Sequence, residues 1–239
     1  MTDVAFTTPT GDRDAYLSQP QGAGPWPGVV LIHEIFGLND DIRALTEGVA
    51  AMGYLALAPD FYGGGKWSRC MRGALRELEA GSGEFFDAIE ASRGWLAGND
   101  HCTGKIGVIG FSLGGGFALL AASRYSFSAA SVNYGEIPDD AEHVLAGACP
   151  IIASYGERDR TMRGRPARLQ HALAAAGVDH DVKTYPLAGH SFLSVQHYPS
   201  GVAVLAKVMG MSAGPHAPSA TDAWRRIDDF FGTHLRSEP

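Results

Sequence analysis

The run Gly110-Phe111-Ser112-Leu113-Gly114 constrains this chain more than any other feature. An apolar stretch, 106–109, leads into it, and an apolar helical pattern over 113–123, with Phe117, Leu119, Leu120 and Ala121, leads away. A serine between a strand and a helix, flanked by Gly-x and x-Gly, is expected on a turn sharp enough to push its hydroxyl outward. Gly110 and Gly114 lack Cβ atoms, so strand and helix can come close together there. The helix N-terminus then offers N–H groups to a carbonyl reacting above the serine. A glycine-rich turn with an incidental serine is the competing reading, and the strand-then-helix context stands against it.

The rest of the chain supplies the frame such a turn needs. Residues 29–32, Val-Val-Leu-Ile, form a short apolar run bounded by turn residues, as expected of a strand buried on both faces. Further strands are expected at 54–58, 105–109, 129–134, 150–155 and 179–185, with two weaker ones at 4–7 and 14–17. Helical patterns occupy 40–52, closed by Gly53, then 70–80, 84–96, 113–123, 166–176 and 221–234. Strands alternating with helices predict an α/β fold with a mostly parallel central sheet, helices on both faces and no large cap domain. A length of 239 residues with 45% hydrophobic content suits a single domain spanning 1–239. The stretch 191–219 is long and lacks a clear period, which marks it as a lid or binding loop. Within it, 202–211 is expected to form a short helix over the site.

Ser112 needs a general base, because a serine hydroxyl is un-ionised at neutral pH. Nine histidines are present, and His190, in Leu187-Ala188-Gly189-His190-Ser191-Phe192, follows the last expected strand. His33 and His197 stay open as residues bordering the pocket. A carboxylate should hold the imidazole, and Asp159 follows the strand that ends at Tyr155. Glu157 competes with it, while Asp179 and Asp181 belong to the next strand. The order Ser, Asp, His is that of α/β-hydrolases. For the oxyanion, the expected donors are the N–H of Leu113 and that of Ile35, in the loop after 29–32. Glu34, Phe36, Phe111, Tyr134 and Phe192 are expected to contact substrate.

With these residues in view, the chain resembles the dienelactone hydrolase family. His33-Glu34-Ile35-Phe36-Gly37-Leu38-Asn39, Ala58-Pro59-Asp60-Phe61-Tyr62 and Ile109-Gly110-Phe111-Ser112-Leu113-Gly114-Gly115 carry the likeness. Asn133-Tyr134-Gly135, Gly156-Glu157-Arg158-Asp159, Gly189-His190-Ser191-Phe192, Ala223-Trp224 and Phe230-Phe231 continue it in order. The resemblance implies a small α/β-hydrolase acting on ester or lactone bonds without a cofactor. Two departures stand out. The family often carries cysteine where this chain has Ser112, and in those members the glutamate matching Glu34 controls the thiol. Here Glu34 is left to shape the pocket, bind substrate or brace the oxyanion turn. Members acting on dienelactone also grip its carboxylate with arginines, one of them just after the histidine. Residues 192–197 hold no arginine, and Arg69 and Arg72 fall in the segment where another would lie.

Other function classes fare less well. The formal charge of −7 and the lack of a Lys/Arg run exclude a phosphate-backbone partner. Cys70, Cys102 and Cys149, odd in number and without CxxC spacing, read as buried free thiols rather than a disulfide framework or zinc site. His33-Glu34 lacks the second histidine of H-E-x-x-H, so no metal is expected. No signal-like segment opens the chain and no apolar run spans a bilayer, so a cytoplasmic location is expected. The expected partner is a small-molecule ester or lactone, with no nucleic acid and no membrane, bound by a monomer or homodimer. An acyltransferase on the same three residues and a non-catalytic binding protein on the same fold are the alternatives carried forward.

Overall fold

The computed structural model describes residues 1–63, 67–198 and 200–236. β1 (Thr2–Thr8) and β2 (Gly11–Ser18) form an antiparallel hairpin, and β2 runs antiparallel to β4 (Leu55–Pro59). Every later pairing is parallel, through β3 (Trp26–Ile32), β5 (Cys102–Phe111), β6 (Ala129–Asn133), β7 (Ile151–Gly156) and β8 (His180–Tyr185). The eight lie in one sheet, ordered β1-β2-β4-β3-β5-β6-β7-β8. Val29 to Ile32 and Leu55 to Ala58 are wholly buried. That is why they read as unbroken apolar runs instead of alternating.

Eight α-helices are present among the described residues, six between strands and two after β8: α1 (Asp40–Ala51), α2 (Trp67–Ala80), α3 (Glu84–Ala97), α4 (Leu113–Arg124), α5 (Ala141–Val144), α6 (Arg165–Ala175), α7 (Ser200–Val208) and α8 (Ala217–Leu235). Two glycines show that both faces of the sheet are covered. A Cβ on Gly28 would meet Leu96 of α3, whereas one on Gly107 would meet Leu235 and Phe231 of α8. Gly28 lies opposite Ile106 in the register, and its successor Gly107 points the other way. So α3 packs on one face and α8 on the other.

The expected elements are present, with shifted ends. β5 begins at Cys102, three residues before the expected start, because its first residues are largely exposed and carry no apolar signal. The four-residue α5 was not anticipated; it is too short to show a period. α7 spans Ser200–Val208 instead of 202–211, since the chain reverses at Gly210 (φ 83°), where the Met211 N–H bonds to the Ala206 carbonyl at 2.9 Å. α8 starts at Ala217, four residues early, where a Pro in the first turn suits a helix start.

From β3 the chain steps to β4 on one side, and the next strand in the sheet on the other side is β5. Such a reversal opens a crevice at the carboxyl ends of the two strands, and ligands of open α/β sheets bind in such crevices. Residues 33–38 and Ser112 leave the sheet at that point. Among the described residues no helix is long and apolar enough to cross a membrane. The three cysteines are free, and they are half-buried, not fully buried as expected.

Candidate active site

Ser112 adopts φ 54° and ψ −115°, a conformation that side-chain-bearing residues rarely take. It persists because its surroundings over-determine it. The Ser112 N–H bonds to the Asn133 carbonyl at 3.0 Å, and its own carbonyl accepts from Gly115 at 2.9 Å and Gly116 at 3.2 Å. A Cβ on Gly110 would strike the Gly114 carbonyl, and one on Gly114 would strike the carbonyl of Ile32. The two glycines therefore let β5, α4 and the end of β3 meet within backbone contact.

His190 faces the serine. Its Nε2 lies 2.8 Å from Ser112 Oγ, and its Nδ1 lies 2.6 Å from Asp159 Oδ2. The carboxylate can only accept, so Nδ1 carries the proton and Nε2 turns its lone pair to the serine. Asp159 and His190 are both buried. The other carboxylate oxygen, Asp159 Oδ1, accepts from the Thr161 N–H at 3.0 Å and the Thr161 hydroxyl at 2.6 Å. Thr161, the middle residue of the 3-10 turn Arg160–Met162 that Asp159 caps, locks the acid's rotamer.

Backbone bonds lace together the loops bearing acid and base. The Glu157 N–H bonds to the Tyr185 carbonyl at 3.0 Å and the Arg158 N–H to that of Ala188 at 2.9 Å. The His190 N–H donates to the Met211 carbonyl at 2.9 Å, and Gly214 donates back to the His190 carbonyl at 2.9 Å. The Tyr134 ring packs against the imidazole, with centroids 5.1 Å apart. Glu157, the sequence competitor of Asp159, is exposed. Asp179 and Asp181 pair with His234 and Arg226, away from the site.

Ser112 and His190 open into a cavity of about 650 Å³, which Leu113 and Ile35 also line. The Ile35 carbonyl accepts from the Tyr62 hydroxyl at 2.9 Å, which steadies the loop after β3. Met71, Leu75 and Leu78 of α2 form one wall, and Met209 and Met211 another. Arg69 and Arg72 are exposed on α2 and do not line the cavity.

The five expected substrate contacts lie elsewhere. Phe111 and Phe192 are fully buried: Phe111 packs on Tyr134 and Trp224, and Phe192 on Tyr134 and Tyr185. Successive residues of a strand point to opposite faces. Phe111 thus turns back into the core while Ser112, next along, stands out. Tyr134 supports His190 from below and lines no part of the cavity.

Glu34 and Phe36 border a second cavity of about 350 Å³ that shares no lining residue with the first, and His197 borders it too. Buried Glu34 accepts from the Ser191 hydroxyl at 2.9 Å and the Tyr198 hydroxyl at 2.5 Å. Burial pushes its carboxyl up, with the hydrogen bonds from the Tyr198 and Ser191 hydroxyls pulling against that. Glu34 therefore ties the loop after β3 to the residue following His190. His33 is also structural: Nδ1 bonds to the Glu34 carbonyl at 2.7 Å, Nε2 accepts from the Phe61 N–H at 3.3 Å, and burial holds its pKa down. Thr161, Tyr198, Ser191 and the four cavity methionines escaped the sequence reading. Among the described residues no group of three or more His, Cys, Asp or Glu could hold a metal ion.

Comparison with known proteins gives a consistent result. The model of the dienelactone hydrolase family matches residues 13–235. A Synechocystis protein named "Putative carboxymethylenebutenolidase" is 30% identical over 240 residues, covering 92% of each chain. One of the same name from Yersinia pestis is 29% identical over 237 residues, covering 92% of this chain and 83% of its own. Among solved structures, a dienelactone-hydrolase-like promiscuous phosphotriesterase from metagenomic libraries superposes with a TM-score of 0.77 at 21% identity, covering 98% of both chains.

Proposed function

Because the chain belongs to the dienelactone hydrolase family, we propose that it hydrolyses a carboxylic ester or lactone, with Ser112 as nucleophile, His190 as base and Asp159 orienting the base. One observation carries this reading: the unbroken chain Ser112 Oγ–His190 Nε2, His190 Nδ1–Asp159 Oδ2, at 2.8 and 2.6 Å, opening on a cavity. The names of the curated relatives, which denote a lactone-cleaving activity, agree with it.

Ser112 Oγ attacks the carbonyl carbon and its proton passes to His190 Nε2. Asp159 keeps the imidazole in the receptive tautomer and offsets the charge it gains. The carbonyl oxygen, now negative, accepts from the N–H groups of Leu113 and Ile35. Each such donor is worth about 3 kcal/mol at the transition state. The C–O bond to the alcohol breaks, and His190 returns the proton to the leaving oxygen; with a lactone, that alcohol stays attached to the acyl group. His190 then takes a proton from water, whose oxygen attacks the acyl-serine, and the acid leaves with Ser112 restored. Every proton and electron pair is handled by the chain, substrate and water, so no cofactor enters. All three residues hang from one sheet, consistent with one domain, and within the 191–219 stretch Met209 and Met211 serve as a wall of the site.

Hydrolysis of p-nitrophenyl butyrate by the parent, Ser112→Ala and His190→Ala tests the reading. Both variants are expected to lose at least about 10³-fold in kcat while staying folded. Turnover that survives Ser112→Ala overturns it.

A further inference from the structure

The walls of the Ser112 cavity are unusual in what they present. Four of the six methionines in the chain, Met71, Met162, Met209 and Met211, line it. Leu78, Leu120 and Ile137 complete an apolar trough. Methionine side chains are flexible and polarizable, so they wrap alkyl groups of irregular outline.

The charged residues of the lining are all acidic: Glu79, Glu136, Asp139 and Asp140. Glu136 is paired with Arg165, and Asp139 with Arg168 at 2.7 Å. Those two arginines are therefore already engaged by cavity acids. Glu79 and Asp140 have no ion pair among the described residues, and no Lys or Arg lines the cavity among them. All four acids are solvent-exposed, so their field is screened by salt, yet it acts with one sign on any ion that approaches the cavity. An entering carboxylate would meet uncompensated negative charge and give up water with no cation in return.

We infer that this site takes esters with an apolar acyl chain and no anionic group, and that it discriminates against carboxylate-bearing substrates. The inference rests on Ser112 being the nucleophile that opens this cavity. It narrows the ester or lactone reading to one substrate class.

A matched set of p-nitrophenyl esters tests it: hexanoate, its ω-trimethylammonium analogue and the monoester of adipic acid. The first ends in methyl, the second in a cation and the third in a carboxylate, so the cation controls for polarity. The cationic ester is expected to exceed the anionic one in kcat/KM by at least about ten-fold. Glu79→Gln combined with Asp140→Asn should shrink that ratio several-fold, as should 0.5 M salt. An adipate monoester cleaved as well as its cationic counterpart overturns the inference. If no ester turns over, the proposed function falls, and binding still decides this point. The matching methyl ketones, titrated calorimetrically into Ser112→Ala, should then show the same charge order, and equal affinities overturn the inference.

Discussion

Three side chains from three strand ends meet within hydrogen-bond distance, and each is held by a different device. Ser112 is fixed by a strained turn, His190 by bonds from 211 and 214, and Asp159 by Thr161. Replacing Asp159 by Asn leaves the shape but invites Nδ1 to accept, which turns the Nε2 proton toward the serine. Asp159→Asn should lower kcat about 10³- to 10⁴-fold with little change in KM, read from steady-state ester hydrolysis. A loss under about ten-fold would assign the orienting role elsewhere. Glu34 makes a separate prediction. Its carboxyl is held above the ordinary value of 4.5 by burial, so the native state binds that proton more tightly than the unfolded chain. Stability from this group is full below about 4.5 and is lost as pH rises toward the raised native value. The Tm of Glu34→Gln minus that of the parent should therefore grow with pH above about 4.5; a gap that is flat with pH contradicts the assignment. At this scale Ser112, His190 and Asp159 were legible, because each sits at a motif-bearing strand end. The Glu34–Ser191–Tyr198 linkage was not: its members lie up to 164 positions apart, and no spacing rule joins them.

The elements that carry these residues were legible where burial imposes a pattern. β3 and β4 read as unbroken apolar runs because helices cover both faces, and α1 declared itself through its closing Gly53; the Asn39 cap at its start, whose Oδ1 accepts from the Ile42 N–H at 3.0 Å, emerged only in the fold. Ends escaped detection where the chain surfaces, as in the exposed start of β5 and the four residues of α5. Helix α8 has a stronger tie to the sheet than its apolar stripe suggested. Arg226, almost wholly buried, donates to Asp181 at 3.0 Å, to Ser154 Oγ at 3.2 Å and to the Tyr185 hydroxyl at 3.1 Å. It thus joins α8 to β7 and β8, whose carboxyl ends lead to Asp159 and His190. Arg226→Leu should cost about 2–4 kcal/mol of stability in urea unfolding, since two buried hydroxyls lose a partner while half-exposed Asp181 can rehydrate. A change below about 0.5 kcal/mol would show that the guanidinium packs without binding.

Across the whole molecule, the place of the candidate site follows from where the strand order reverses. β3 and β5 lie side by side with their carboxyl ends at one crevice, so the loop bearing Ile35 and the turn bearing Ser112 are neighbours before any side chain is considered. The alternation of strands and helices made that sheet legible in advance. The cavity was not, because its walls come from α2, the turn after Asp159 and the segment after α7, which only the folded chain brings together. That is also why Phe111 and Phe192, next to motif residues in sequence, turned out to be core. The proposed mechanism requires Ser112 to be the hydroxyl that this architecture makes nucleophilic. Fluorophosphonate labelling followed by intact-mass and peptide mapping tests that most directly. A single adduct is expected on the peptide containing Ser112, absent from Ser112→Ala and strongly slowed in His190→Ala. No adduct on the folded parent, or an adduct on another residue that persists in Ser112→Ala, would contradict it.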